Sequence, residues 1–235
     1  MKKHIPNSLT LLNLLSGCCG IVACLENDNK FVPLFIGISL IADFLDGFVA
    51  RLLKVKSDLG AQLDSLADMV TFGVLPGMML YHLILDNTNL YSDVDYFLCF
   101  IVFIYSIFAC LRLAKFNIDT RQTVDFIGLN TPSGAIFILG IYCNLYFDVL
   151  KVPILYNSVT LIIIAFVLAF LMIAEFRMFS LKGNPFSWKQ NKSRVLLLLS
   201  AIPQLIFLKW LGLSTVILSY VVFAFLHNTF EKNKI

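Results

Sequence analysis

Apolar residues gather in eight stretches, near 8–25, 31–53, 60–85, 94–113, 131–150, 157–176, 193–209 and 212–230, and the breaks between them carry most of the charged residues. No two-residue alternation of apolar and polar positions runs through these stretches. Backbone polar groups must be satisfied inside lipid, so spanning segments are helices or closed barrels, and the pattern here selects helices. Runs of roughly twenty apolar residues match a hydrocarbon layer of about 30 Å. The expected fold is therefore all-α: a polytopic integral membrane bundle of about eight transmembrane helices, forming one domain over residues 1–235.

Composition removes the soluble alternative: 59% of the 235 residues are hydrophobic, 14% are charged and the mean hydropathy is +0.84. The first stretch begins at Pro6-Asn7 and ends in Leu25-Glu26-Asn27-Asp28, without a small-residue cleavage site, so it reads as a retained helix. With eight spans and both termini cytoplasmic, 15 of the 18 Lys and Arg lie inside: Lys2, Lys3, Arg51, Lys54, Lys56, Arg112, Lys115, Arg121, Arg177, Lys182, Lys189, Lys192, Arg194, Lys232 and Lys234. Only Lys30, Lys151 and Lys209 fall outside, as the positive-inside rule requires. The expected location is the cell (inner) membrane with a cytoplasmic site. The basic inner surface faces lipid headgroups, and no nucleic-acid partner is expected.

Cys18, Cys19, Cys24, Cys99, Cys110 and Cys143 sit in apolar stretches without a CxxC pair and read as small packing residues. His4, His82 and His227 are scattered and form no ligand set. Polar loops are expected over 117–130 and 180–193.

One segment breaks the apolar pattern. Asp43, Asp46, Gly47, Ala50, Arg51, Gly60, Asp64 and Asp68 lie within 26 positions of strongly apolar sequence. A lone carboxylate at the centre of a membrane helix costs roughly 2.5–3.5 kcal/mol, so four together imply bound cations. At about 100° per residue, Asp43, Asp46, Gly47 and Ala50 share one helix face, and so do Gly60, Asp64 and Asp68. The short link 53–59 makes the two helices a hairpin whose acidic faces oppose. Oxygen ligands without Cys or His suit hard cations, Mg2+ or Mn2+, and two divalent ions neutralise four carboxylates. Gly47, Ala50, Gly60 and Ala61 allow close approach of a bulky ligand or of another helix. Arg51 suits phosphate oxygens, or snorkels to the interface; Ser57 and Asp58 suit a helix N-cap.

The segment DFLDGFVARLLKVKSDLGAQLDSLAD resembles the signature of the CDP-alcohol phosphotransferases, DxxDGxxAR followed after eight residues by GxxxDxxxD, at every specified position. IPNSLTLLNLLSGCCGI, DMVTFGV, CLRLAKFN and FIGLNTPSGA are similar to segments of the bacterial phosphatidylserine synthases in that family, although FIGLNTPSGA departs from the usual form after Gly-Leu. The resemblance implies transfer of the phosphatidyl group from CDP-diacylglycerol to L-serine with release of CMP. It makes Asp43, Asp46 and Asp64 metal ligands and Asp68 both a metal contact and the general base. It also places Gly47, Arg51 and Ser57 on the CDP-lipid, with Asn7 and Thr10 near its nucleotide. A homodimer is the family's common state.

The serine acceptor carries a carboxylate and an ammonium, so Arg112, Lys115 and Asn117 are the candidates for recognising it, while helix anchoring is the competing role for Arg112 and Lys115. Asn130, Thr131 and Ser133 read equally well as a turn and helix start. Two alternatives stand beside this reading. Glycerol 3-phosphate or inositol phosphate as acceptor would call for further basic residues. A transporter also uses intramembrane acids, yet no second acidic pair marks a symmetry-related half.

Overall fold

The computed structural model describes residues 4–55, 57–87, 97, 99–119, 126–178 and 192–232. Among the described residues, nine helices carry the architecture: α1 His4–Leu25, α2 Val32–Leu52, α3 Asp58–Asp68, α4 Leu75–Asn87, α5 Ile104–Ile118, α6 Thr131–Tyr146, α7 Ser158–Ile173, α8 Lys192–Leu208 and α9 Trp210–Lys232. They coincide with the eight apolar stretches, because α3 and α4 are two parts of one rod. Helical segments His4–Leu25, Asn29–Leu52, Asp58–Asp86 and Phe100–Ile118 are long and apolar enough to cross a membrane, and Ser158–Ile173, Arg194–Leu208 and Trp210–Leu226 are shorter apolar helices. The chain is an integral membrane helical bundle. Lys2, Lys3, Lys56, Arg121, Lys182, Lys189 and Lys234, most of the polar stretch 180–193 and the start of the expected span at 94 lie outside the described residues.

Capping side chains start the helices where the sequence turns. Asn130 and Asn157 each accept a backbone N–H at 2.8 Å, from Ser133 and Val159, satisfying donors that the first turn leaves orphaned. Helix ends fall at Asn27, Lys54, Asp148 and Lys209, all with positive φ between 45° and 59°. At the α2–α3 hairpin, the Val55 N–H reaches the Ala50 carbonyl at 3.0 Å past Lys54, closing the helix in the manner of a left-handed C-terminal cap.

Helix α6 runs through the core, with Ala135, Ile138, Ile141, Tyr142 and Cys143 almost inaccessible. It packs on α9 and α4, while α1 lies along α2 and against α3. Buried Cys24, Cys99 and Cys143 join the apolar core as small fillers.

The rod from Asp58 changes its winding at Met69–Val74, which forms a π turn. Such a wide turn leaves carbonyls poorly paired, and here α5 answers them: the Tyr105 hydroxyl donates to the Phe72 carbonyl at 3.0 Å and Ser106 Oγ to the Gly73 carbonyl at 2.8 Å. Thr71 Oγ1 donates to the Asn13 carbonyl at 3.2 Å, tying the turn to α1. Gly17 makes this approach feasible, since a Cβ there would lie 3.1 Å from the Thr71 Cα. Gly17→Val is expected to lower stability by about 1–3 kcal/mol through overpacking, read as a fall in the thermal midpoint of the purified protein in detergent. An unchanged midpoint would show that α1 can yield.

A two-residue antiparallel ladder sits at the end of the bundle that holds the α5 C-terminus: β1 Phe126–Ile127 pairs with β2 Arg177–Met178. The Gly128 N–H donates to the Phe176 carbonyl and the Leu129 N–H to the Leu171 carbonyl, both at 2.9 Å. Gly128 has φ +73°, and a Cβ there would fall 2.6 Å from the Met172 carbonyl oxygen, so this crossing requires glycine.

Candidate active site

Antiparallel succession of the helices brings the start of α1, the end of α2, the start of α3 and the end of α5 together. Ser57 fixes where α3 begins: its Oγ accepts the Gly60 N–H at 3.0 Å, so the capping role expected from sequence is observed. From that start, Asp64 and Asp68 lie one turn apart on a single face toward α2, and Asp43 approaches from α2.

One carboxylate oxygen from each of Asp43, Asp64 and Asp68 lies within 4.8 Å of the other two. Opposite ligands of a hard cation bound at about 2.0–2.6 Å are separated by about 4–5 Å, so the spacing suits a shared ion. Among the described residues Asp64 Oδ1 is buried without a hydrogen-bond partner, the state expected of an oxygen whose partner is a cation. The donor set is oxygen alone, which fits a hard divalent metal. Three of the four expected acids thus form the cluster. Asp46 stands beside it, buried, accepting a 2.6 Å hydrogen bond from Thr10 Oγ1, with its charge felt at Asp64.

Asn13 was not singled out in the sequence. Its Nδ2 donates to Asp68 Oδ1 at 3.2 Å, and its carbonyl accepts from both Ser39 Oγ and Thr71 Oγ1, so it is locked between α2 and the π turn. The signal was present: Asn7, Thr10 and Asn13 recur every three residues along one face of α1.

A cavity of about 540 Å3 opens beside these acids, lined among others by Asn7, Thr10, Asp46, Gly47, Ala50, Ser57, Gly60 and Asp64. Those eight were all named from sequence, and Pro6, Val55, Asp58 and Ala61 complete the wall. Gly60 keeps it open, because a Cβ there would stand 3.0 Å from Ser57 Oγ and 3.3 Å from Asn7 Oδ1. Arg51 does not line the cavity; its guanidinium folds back beside Gly47, with Nη1 3.5 Å from where a Cβ on that residue would lie.

A second cavity, of about 290 Å3, lies at the end of α5 and includes Arg112 and Lys115. Arg112 is buried, within electrostatic reach of Asp68, and its Nε has no hydrogen-bond partner; its Nη1 lies 3.5 Å from Thr131 Oγ1. Lys115 is exposed at the cavity wall. Asn117 lies apart: its Oδ1 accepts from Ser65 Oγ at 3.0 Å and joins α5 to α3. Of the turn residues, Asn130 caps α6, whereas Thr131 is fully buried against Arg112.

The chain is 39% identical over 129 residues to a protein of Bacillus subtilis, an alignment covering 55% of this chain and 70% of that one. It is 38% identical over 141 residues to a protein of Methanocaldococcus jannaschii, covering 60% and 61%, and 34% identical over 168 residues to one of Saccharomyces cerevisiae, covering 62% and 57%. All three carry the name CDP-diacylglycerol--serine O-phosphatidyltransferase. The chain spans less than two thirds of the length of the latter two relatives. The family model described as CDP-alcohol phosphatidyltransferase matches residues 3–168, a stretch that holds the whole acidic cluster, the larger cavity and Arg112, and the chain belongs to that family.

Proposed function

We propose that this protein transfers the phosphatidyl group of CDP-diacylglycerol to the hydroxyl of L-serine, forming phosphatidylserine and CMP. The observation that carries the reading is the order of parts along the site. The larger cavity meets the acidic cluster at Asp64, and on the other side Asp68 lies within electrostatic reach of Arg112, which lines the second cavity. A donor on one side and an acceptor on the other would then converge at the carboxylates.

In this assignment Asp43, Asp46, Asp64 and Asp68 hold two divalent ions, Mg2+ or Mn2+. Ions bound there would supply positive charge to offset the pyrophosphate and the charge developing on departing CMP. Thr10 orients Asp46, and Asn13 orients Asp68. Asn7, Thr10, Gly47, Ala50, Ser57 and Gly60 bind the CDP-lipid, with Arg51 over its phosphates at the rim. Asp68 accepts the serine hydroxyl proton. The serine oxygen attacks the phosphorus attached to diacylglycerol, and the bond from that phosphorus to the bridging oxygen breaks, leaving CMP. A base and in-line placement suffice for a weakly acidic alcohol, so no lipid-bearing side chain is required. Arg112 and Lys115 bind the serine carboxylate, and Asn117 supports that wall through Ser65.

The whole chain is taken as one domain, working as a homodimer in the cell (inner) membrane. Its termini and its site are assigned to the cytoplasm, an orientation supported by the charge asymmetry of the loops.

The test uses the purified chain with CDP-diacylglycerol and Mg2+ or Mn2+, following CMP release with L-serine, glycerol 3-phosphate or inositol phosphate. Release dependent on serine is expected. Release driven by either phosphorylated acceptor instead would reassign the activity.

A further inference from the structure

The smaller cavity has walls of opposite charge. Arg112 and Lys115 project from α5, whereas Glu175, from the segment that follows α7, lines the same 290 Å3 space together with Met172 and Ile127; Asp119 lines it at the foot of α5. That volume is at the small end of the range for small-molecule sites, roughly 300–1,000 Å3. Arg112 is 7% exposed, and its Nε has no hydrogen-bond partner among the described residues, so the guanidinium keeps a donor free for a ligand anion. A zwitterion with its carboxylate and ammonium on one carbon presents both charges to a cavity lined by both signs. A phosphate dianion gains at Arg112 and is opposed by the acids.

Glu175 lies in a segment without helix, yet its neighbours are pinned. The Phe176 carbonyl accepts from the Gly128 N–H, the Phe176 N–H donates to the Ala174 carbonyl at 2.9 Å, and the ladder begins at Arg177. The crossing at Gly128 holds this segment against the end of α7. The backbone that carries Glu175 is thereby held at the cavity, with its exposed carboxylate lining that space and open to a ligand cation.

We propose that Glu175 is a specificity-determining residue that binds the ammonium of the acceptor, selecting an amino-acid alcohol over acceptors that carry only negative charge. The inference rests on the serine reading given above.

Glu175→Gln is isosteric and removes one charge-assisted contact. The full chain is compared with this variant for CMP release using L-serine and using 3-hydroxypropanoate, which keeps the hydroxyl and carboxylate but lacks the amine. The variant is expected to raise KM for serine about 10- to 100-fold, the usual worth of a hydrogen bond to a charged group, and to shrink the preference for serine over 3-hydroxypropanoate by a similar factor. KM for CDP-diacylglycerol and its binding measured by calorimetry are expected to stay as in the parent, and Glu175→Asp to recover part of the loss. An unchanged serine KM, or equal losses with both acceptors, overturns the role of Glu175 while leaving the serine activity standing. A parent protein that ignores serine overturns both.

Discussion

Asp68→Asn is expected to cut CMP release by about 10³-fold or more, with little loss of stability. The substitution keeps the shape of the side chain and leaves an oxygen able to accept from Asn13 Nδ2, which lies 3.2 Å from Asp68 Oδ1. What disappears is one negative charge from a group of three whose oxygens lie within 4.8 Å. In the protein without cations those charges repel, so removing one relieves the folded state even as it removes the base. A thermal midpoint equal to or above that of the parent, alongside lost turnover, separates this from a folding defect. Turnover near the parent rate would remove Asp68 from the chemistry.

Stripping divalent cations is expected to abolish activity, and adding back Mg2+ or Mn2+ to restore it. Binding also has a signature that does not depend on turnover. A ligand that binds only the folded state stabilises it by about 2.7 kcal/mol at a concentration 100 times its Kd. The thermal midpoint of the parent should therefore rise with Mg2+ or Mn2+, and that of Asp64→Asn should rise much less, because Asp64 presents the buried, unpartnered oxygen. Equal rises in both proteins would place the ions elsewhere; full turnover after rigorous chelation would end the metal reading.

The spanning helices were legible because lipid imposes a simple rule on the backbone, and each of the eight apolar stretches is largely helical over its described residues. The residues lining the larger cavity were legible for a related reason: polar and small residues are out of place in apolar helices, so Asp46, Gly47 and Gly60 stand out. The π turn was not, since nothing in MVTFGV distinguishes it from ordinary helix; it depends on hydroxyls that Tyr105 and Ser106 supply from α5. Asn13 escaped notice because it is polar without charge, and its value lies in contacts with α2 and α3. The cavity at Arg112 was half visible. Its basic wall lies in CLRLAKFN, but Glu175 arrives through a pairing between segments some fifty positions apart. Asn117, adjacent in sequence to that wall, turns to Ser65 instead.

The two-residue ladder between Phe126–Ile127 and Arg177–Met178 fastens the segment that carries Glu175. The match to the family model ends at residue 168, and Glu175 lies beyond it. The aspartates proposed to activate the donor thus lie inside the matched stretch, whereas the segment that carries Glu175 is held back against it by a few backbone hydrogen bonds. Acceptor preference is then expected to change with that short segment while the aspartates stay as they are.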